Sequence, residues 1–69
     1  MVRWTELPDG SYLGARGGRT FYTKWRTYGH PRRGGEWSYG EIVDGVKIVW
    51  GETPLLISAR VAVDRRAAA

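Results

Sequence analysis

Trp37-Ser38-Tyr39-Gly40-Glu41-Ile42-Val43-Asp44-Gly45-Val46-Lys47-Ile48-Val49-Trp50 is the stretch on which the fold turns. Two segments that alternate apolar and polar residues flank an Asp-Gly pair, the preferred centre of a two-residue type I′ turn. The pattern predicts a hairpin with Trp37 to Val43 as one strand and Val46 to Trp50 as the other. In that register Val43 faces Val46, Glu41 faces Ile48 and Tyr39 faces Trp50. One face then carries Trp37, Tyr39, Val43, Val46, Ile48 and Trp50, and reads as core. Glu41 is the misfit there: it sits at a sheet edge, or the register slips by one residue and every side chain changes face.

Upstream, Val2 to Glu6 reads as a short strand closed by the turn Leu7-Pro8-Asp9-Gly10, in which Pro presets φ and Gly tolerates positive φ. Tyr12 to Arg16 is a second strand, Gly17-Gly18 a tight turn, and Arg19 to Tyr28 a longer strand rich in Thr, Tyr, Phe and Trp. Strand alternation sends Phe21, Thr23, Trp25 and Thr27 to one face and Tyr22, Lys24, Arg26 and Tyr28 to the other. Residues 29–35 have no periodicity and are expected to form a mobile basic loop carrying Arg32 and Arg33.

The C-terminal stretch supports two readings. Leu55, Ile57, Ala59, Val61 and Val63 alternate as in a strand, which would complete a small all-β barrel. Thr53-Pro54 instead offers an N-cap followed by proline at the first helical position. A helix from there gathers Leu55, Leu56, Ala59, Ala62 and Val63 on one side and leaves Ile57 and Val61 outside. The expected class is α+β: a small antiparallel sheet of three to five strands with one C-terminal helix, the barrel being the alternative.

With 69 residues the chain is read as one domain, 1–69. A domain this short buries only about 60% of the surface its unfolded chain exposes. It has no cysteine, so neither a disulfide nor a thiolate-bound metal can staple it. Burial falls to four Trp, four Tyr, one Phe and the C-terminal aliphatic residues, in a monomer or a small homo-oligomer. No apolar run approaches the ~20 residues that span a bilayer, and no signal-peptide pattern opens the chain. These features predict a cytoplasmic protein without membrane contact. His30 is the single histidine and lies in the basic loop. No ligand cluster has metal-site spacing and no serine has a partnered base, so no metal, no cofactor and no catalytic residue is expected, and the protein is read as a non-enzyme.

Charge is distributed unevenly. Residues 11–35 contain Arg16, Arg19, Lys24, Arg26, Arg32 and Arg33 and no acid, a local charge of +6 within a net charge of +4. Concentrated positive charge is the footprint of a polyanion-binding surface. The face bearing Tyr22, Lys24, Arg26 and Tyr28 interleaves cations, which neutralise phosphates, with rings that pack on sugars or bases. The expected function is therefore a small basic nucleic-acid-binding domain, for duplex DNA, of the accessory or regulatory kind found in phages and mobile elements. Arg16, Arg19, Tyr22, Lys24, Arg26, Tyr28, Arg32 and Arg33 are the candidate contacts, with Arg26 first for a base. The alternative partner is a protein, in an interaction module such as a phage-encoded inhibitor of a host protein or a small structural subunit. In that case Trp4, Tyr22, Tyr28 and Trp37 would anchor the interface.

Tyr12-Leu13-Gly14-Ala15-Arg16 resembles the Tyr-x-Gly-x-Arg opening of the plant ethylene-response-factor (APETALA-type) DNA-binding domain, and Phe21 to Arg26 is similar to its Trp- and Arg-bearing strand. Gly51, Ala59, Ala62, Asp64 and Ala67 fall on small and acidic positions of that family's tail. The resemblance implies a three-stranded sheet packed on a C-terminal helix, with the sheet entering the DNA major groove, an architecture similar to the arm-binding domains of phage integrases. By that resemblance Arg16, Trp25 and Arg26 would touch nucleic acid. Residues 29–35 are unlike the family's compact turn, and Ile57 and Ser58 stand where its helix is acidic.

Overall fold

The computed structural model describes residues 1–27 and 34–68. The expected basic loop at 29–35 lies largely outside them. Strands β1 (Arg3–Glu6), β2 (Tyr12–Arg16), β3 (Arg19–Thr27), β4 (Gly35–Val43) and β5 (Val46–Thr53) precede one helix, α1 (Leu56–Ala67). The strands follow one another in spatial order β1-β2-β3-β4-β5, every neighbouring pair antiparallel. β1 and β5 are both edges, so the sheet is open and the small barrel is excluded. Among the described residues no helix is long and apolar enough to cross a membrane.

Local chemistry accounts for the two tight turns. Asp44 and Gly45 have φ of 51° and 77°, and Gly17 and Gly18 have 56° and 77°. Positive φ at both central residues defines the type I′ turn, whose twist matches that of the strands it joins. The hairpin register is the expected one near the turn, with Val43 opposite Val46 and Glu41 opposite Ile48. It then shifts: Gly40 faces Val49 whereas Tyr39 faces Gly51, not Trp50. Trp50 is the extra residue of a β-bulge, and the bulge keeps its ring on the helix side, 5.8 Å from the ring of Phe21. Together with Lys47 the bulge also blunts β5 as an edge that another strand could extend.

The helix lies on the face that carries Phe21. Val2, Phe21 and Val63 form the buried centre, with Trp4, Tyr39, Trp50 and Ala67 packed around them. Asp64 adds a polar tie, accepting a hydrogen bond from the Val2 amide at 3.0 Å, so α1 holds the first strand as well as the middle of the sheet. Ala59 and Val63 point inward, while Ile57 and Val61 are 71% and 42% exposed, as the helical reading expects. Its start differs. Thr53 pairs with Trp37 in the sheet and is therefore not free to cap; α1 begins two residues later, with Leu55 as an N-cap that supplies no side-chain hydrogen bond. Leu55 is exposed rather than buried for the same reason. Arg65 and Arg66 occupy the last turn, where positive charge complements the helix dipole.

Val43, Val46 and Ile48 belong to the helix-side face by register but lie exposed, so the apolar face of the hairpin outruns the helix. Glu41 resolves differently from either expectation. It sits neither at an edge nor in a slipped register; it pairs with Arg19, which shares its face two strand positions from Phe21. Arg19 Nε and Nη2 donate to the two Glu41 oxygens at 2.9 and 3.0 Å.

That pair makes the fold sensitive to acid. The hydrogen bonds from Arg19 hold the Glu41 carboxyl below its ordinary value of 4.5; burial opposes them, and the charges of Arg19 and Arg66 assist. A carboxyl depressed on folding stabilises the fold above its unfolded pKa and loses that contribution as pH falls through the folded one. Glu41→Gln is expected to be less stable than the parent at pH 7, with the two converging as pH falls below about 4.5. Urea unfolding at pH 7, 4 and 3 measures this; a difference independent of pH would refute it.

Candidate nucleic-acid interface

The face away from α1 is built from alternate residues of all five strands. One row across the sheet reads Arg3, Ala15, Thr20, Ile42, Lys47, and the next reads Thr5, Leu13, Tyr22, Gly40, Val49. Lys24 and Ser38 follow, then Arg26 beside Glu36. Small residues on β4 leave a shallow groove of about 220 Å³ lined by Tyr22, Lys24, Arg26, Ser38, Lys47 and Val49. Lys24, Arg26 and Lys47 thus surround one depression. Arg3 stands in the Lys47 row at the far edge, about 19 Å away at four strand spacings.

The candidate residues divide between two faces. Lys24 and Arg26 lie on the helix-free face as alternation requires. Arg16 and Arg19 share the Phe21 face, so the expected single surface of all these cations does not form. Parity within the strand is the reason: 19 and 21 are in step, 24 and 26 are not. Arg19 is engaged by Glu41, and its guanidinium lies 5.0 Å from the Phe21 ring centroid. Arg16 remains exposed beside the Gly17-Gly18 turn, where it lines a separate shallow depression of about 470 Å³ with Arg3 and Arg19. Tyr28, Arg32 and Arg33 lie outside the described residues.

Two further expectations change. Tyr22 is only 3% exposed, and Lys47 Nζ lies over its ring at 5.1 Å, so it forms the groove floor and presents no free ring face. Arg26 Nη1 donates to Glu52 Oε1 at 3.2 Å, so its charge is already partly compensated. An exposed pair of this kind contributes only about 0.2–1 kcal/mol, little enough for a phosphate to replace the carboxylate. Lys24 makes no ion pair among the described residues, although its charge helps the Ser11 hydrogen bonds hold the Asp9 carboxyl below its ordinary value. Trp25, a contact by family resemblance, is on the helix side and 40% exposed.

Lys47 is the groove cation that the sequence reading did not include. The Asp-Gly turn sets Lys47 opposite Ile42, and Ile42 is opposite Thr20, four residues from Lys24 on the same side of β3. The signal was therefore in the hairpin register, provided β3 and β4 are neighbours. No protein-family model matches the chain, and no curated protein and no solved structure matches it either.

Proposed function

We propose that this is a non-catalytic nucleic-acid-binding domain that docks duplex DNA on its helix-free face. The reading rests on one observation: Lys24, Arg26 and Lys47 converge on a single groove that Ser38 and the buried Tyr22 also line. Flexible cations around a shallow floor suit a phosphate backbone, because each neutralised phosphate releases condensed counterions. Tyr22 is covered, so among the described residues this face offers no stacking platform, which favours paired over single strands. The ethylene-response-factor and integrase arm-binding resemblance agrees in using the helix-free side of the sheet. A regulatory or accessory role in a phage or mobile element, acting in the cytoplasm, fits that mode of binding.

Titration of a labelled random duplex against salt is the test. Three phosphate contacts correspond to a loss of about 40-fold in affinity between 50 and 200 mM salt. Binding that is millimolar at low salt and flat across this range would discard the proposal.

A further inference from the structure

The helix-side surface holds a second arrangement that the groove does not use. Trp25 and Trp37 meet edge to face with centroids 5.5 Å apart, and Trp37 lies 6.1 Å from Tyr12 at a tilt of 51°. The Arg60 guanidinium continues the row, 4.5 Å from the Tyr12 centroid and 5.7 Å from that of Trp4. Trp4, Tyr12, Trp25 and Trp37 come from β1, β2, β3 and β4, so the rings cross the sheet while Arg60 reaches down from α1. Trp25 is 40% exposed and the other three are partly buried.

Arg60 differs from its neighbours in how its hydrogen-bonding groups are employed. Arg19 and Arg26 have carboxylates, but among the described residues none lies within ion-pair distance of Arg60. Its Nε is buried and donates no hydrogen bond. The rings of Trp4 and Tyr12 hold the planar fork in place, so less side-chain entropy is lost when a ligand pairs with it.

We infer that this row is a docking surface for a proline-rich peptide segment of a partner protein carrying one acidic side chain. The carboxylate pairs with Arg60, and prolines pack on the ridges made by the tilted rings of Tyr12, Trp37 and Trp25. Aromatic-lined surfaces favour proline-rich segments because the extended helix is already ordered before binding. Trp, Tyr and Arg are also the residues that dominate binding energy at protein interfaces. A single carboxylate fits better than a chain of phosphates. Arg60 is the one guanidinium of the row, and Glu6, opposite Tyr12 on the same face, would repel a polyanion.

The test uses the full chain and a set of proline-rich nonapeptides bearing one glutamate at each position in turn, with glutamine counterparts. Binding is read from tryptophan fluorescence and from amide and indole N–H shifts. At least one glutamate peptide is expected to saturate, to shift the Trp25 and Trp37 indole signals, and to bind at least about tenfold more tightly than its glutamine counterpart, a difference of about 1.4 kcal/mol. Arg60→Gln should abolish that preference, and Trp25→Ser, at an exposed position, should weaken every peptide while leaving the fold intact. Lys47→Glu, on the opposite face, should leave peptide binding unchanged even if duplex binding is lost. Equal binding of glutamate and glutamine peptides, no saturation at millimolar peptide, or shifts confined to the helix-free face would each overturn the inference. Displacement of the peptide by a single-stranded thymidine oligonucleotide would reassign the surface to nucleic acid.

Discussion

Gly40→Ala is expected to destabilise this protein by about 3 kcal/mol or more, from a total that is about 3.5–10 kcal/mol for a chain of this length. A Cβ at Gly40 would stand 1.9 Å from the Ile48 carbonyl oxygen and 3.1 Å from the Trp50 amide nitrogen. Both are backbone atoms of the bulged strand, so no rotamer change relieves the clash; β4 and β5 must separate where Trp50 is aimed into the core. Gly45→Ala provides the comparison. Its φ of 77° makes a side chain unfavourable, but nothing lies within 4 Å of the added carbon. Its cost should stay near 1–2 kcal/mol. Thermal and urea unfolding of both variants measures the gap. Were Gly40→Ala to unfold within about 0.5 kcal/mol of the parent, the close approach at the bulge would be wrong.

The double charge reversal Lys24→Glu with Lys47→Glu is expected to reduce duplex affinity by a factor of about 100 or more at low salt and to flatten its salt dependence. Removing two phosphate contacts lowers the slope of log affinity against log salt by about 1.8, and the new carboxylates add repulsion. Both side chains are exposed and neither makes an ion pair among the described residues, so the fold should tolerate the change. Arg19→Gln is the contrasting variant. It should cost stability through the orphaned Glu41 while leaving the salt slope of binding as it was. If the double reversal and Arg19→Gln weaken DNA equally, the helix-free face is not the binding surface.

Those two variants differ because alternation is geometry and charge is only composition. The acid-free segment from residue 11 to 35 reads as one basic block in a linear string. A strand divides such a block by parity, and the divided halves meet different neighbours. Arg19 finds Glu41 across β4, and Arg26 finds Glu52 two strands away, beside Ser38. Neither acid is near its cation in the chain. Lys47, in turn, joins Lys24 and Arg26 only because β3, β4 and β5 lie side by side.

The antiparallel strands and their tight turns were legible because their determinants are local. Asp44-Gly45 and Gly17-Gly18 select their turns through φ alone, and alternating side chains declare which residues share a face. The same local logic placed Ile57 and Val61 outside the buried stripe of the helix. It misplaced the helix start, since Thr53 has good capping chemistry but is claimed by a pairing with Trp37 sixteen residues earlier.

What the chain's order determined by itself is the strand segments, their turns and the direction each side chain leaves its strand, all consequences of sterics within a few bonds; the C-terminal stretch it left between helix and strand. Tertiary structure alone decided that Trp50 would bulge inward, that Glu41 would be neutralised by Arg19, and that Arg60 would be gripped by Trp4 and Tyr12 without a carboxylate among the described residues. Those outcomes depend on which groups stand opposite one another across strands and layers. Burial and charge pairing act through space, and a linear pattern specifies no distance between residues far apart along it.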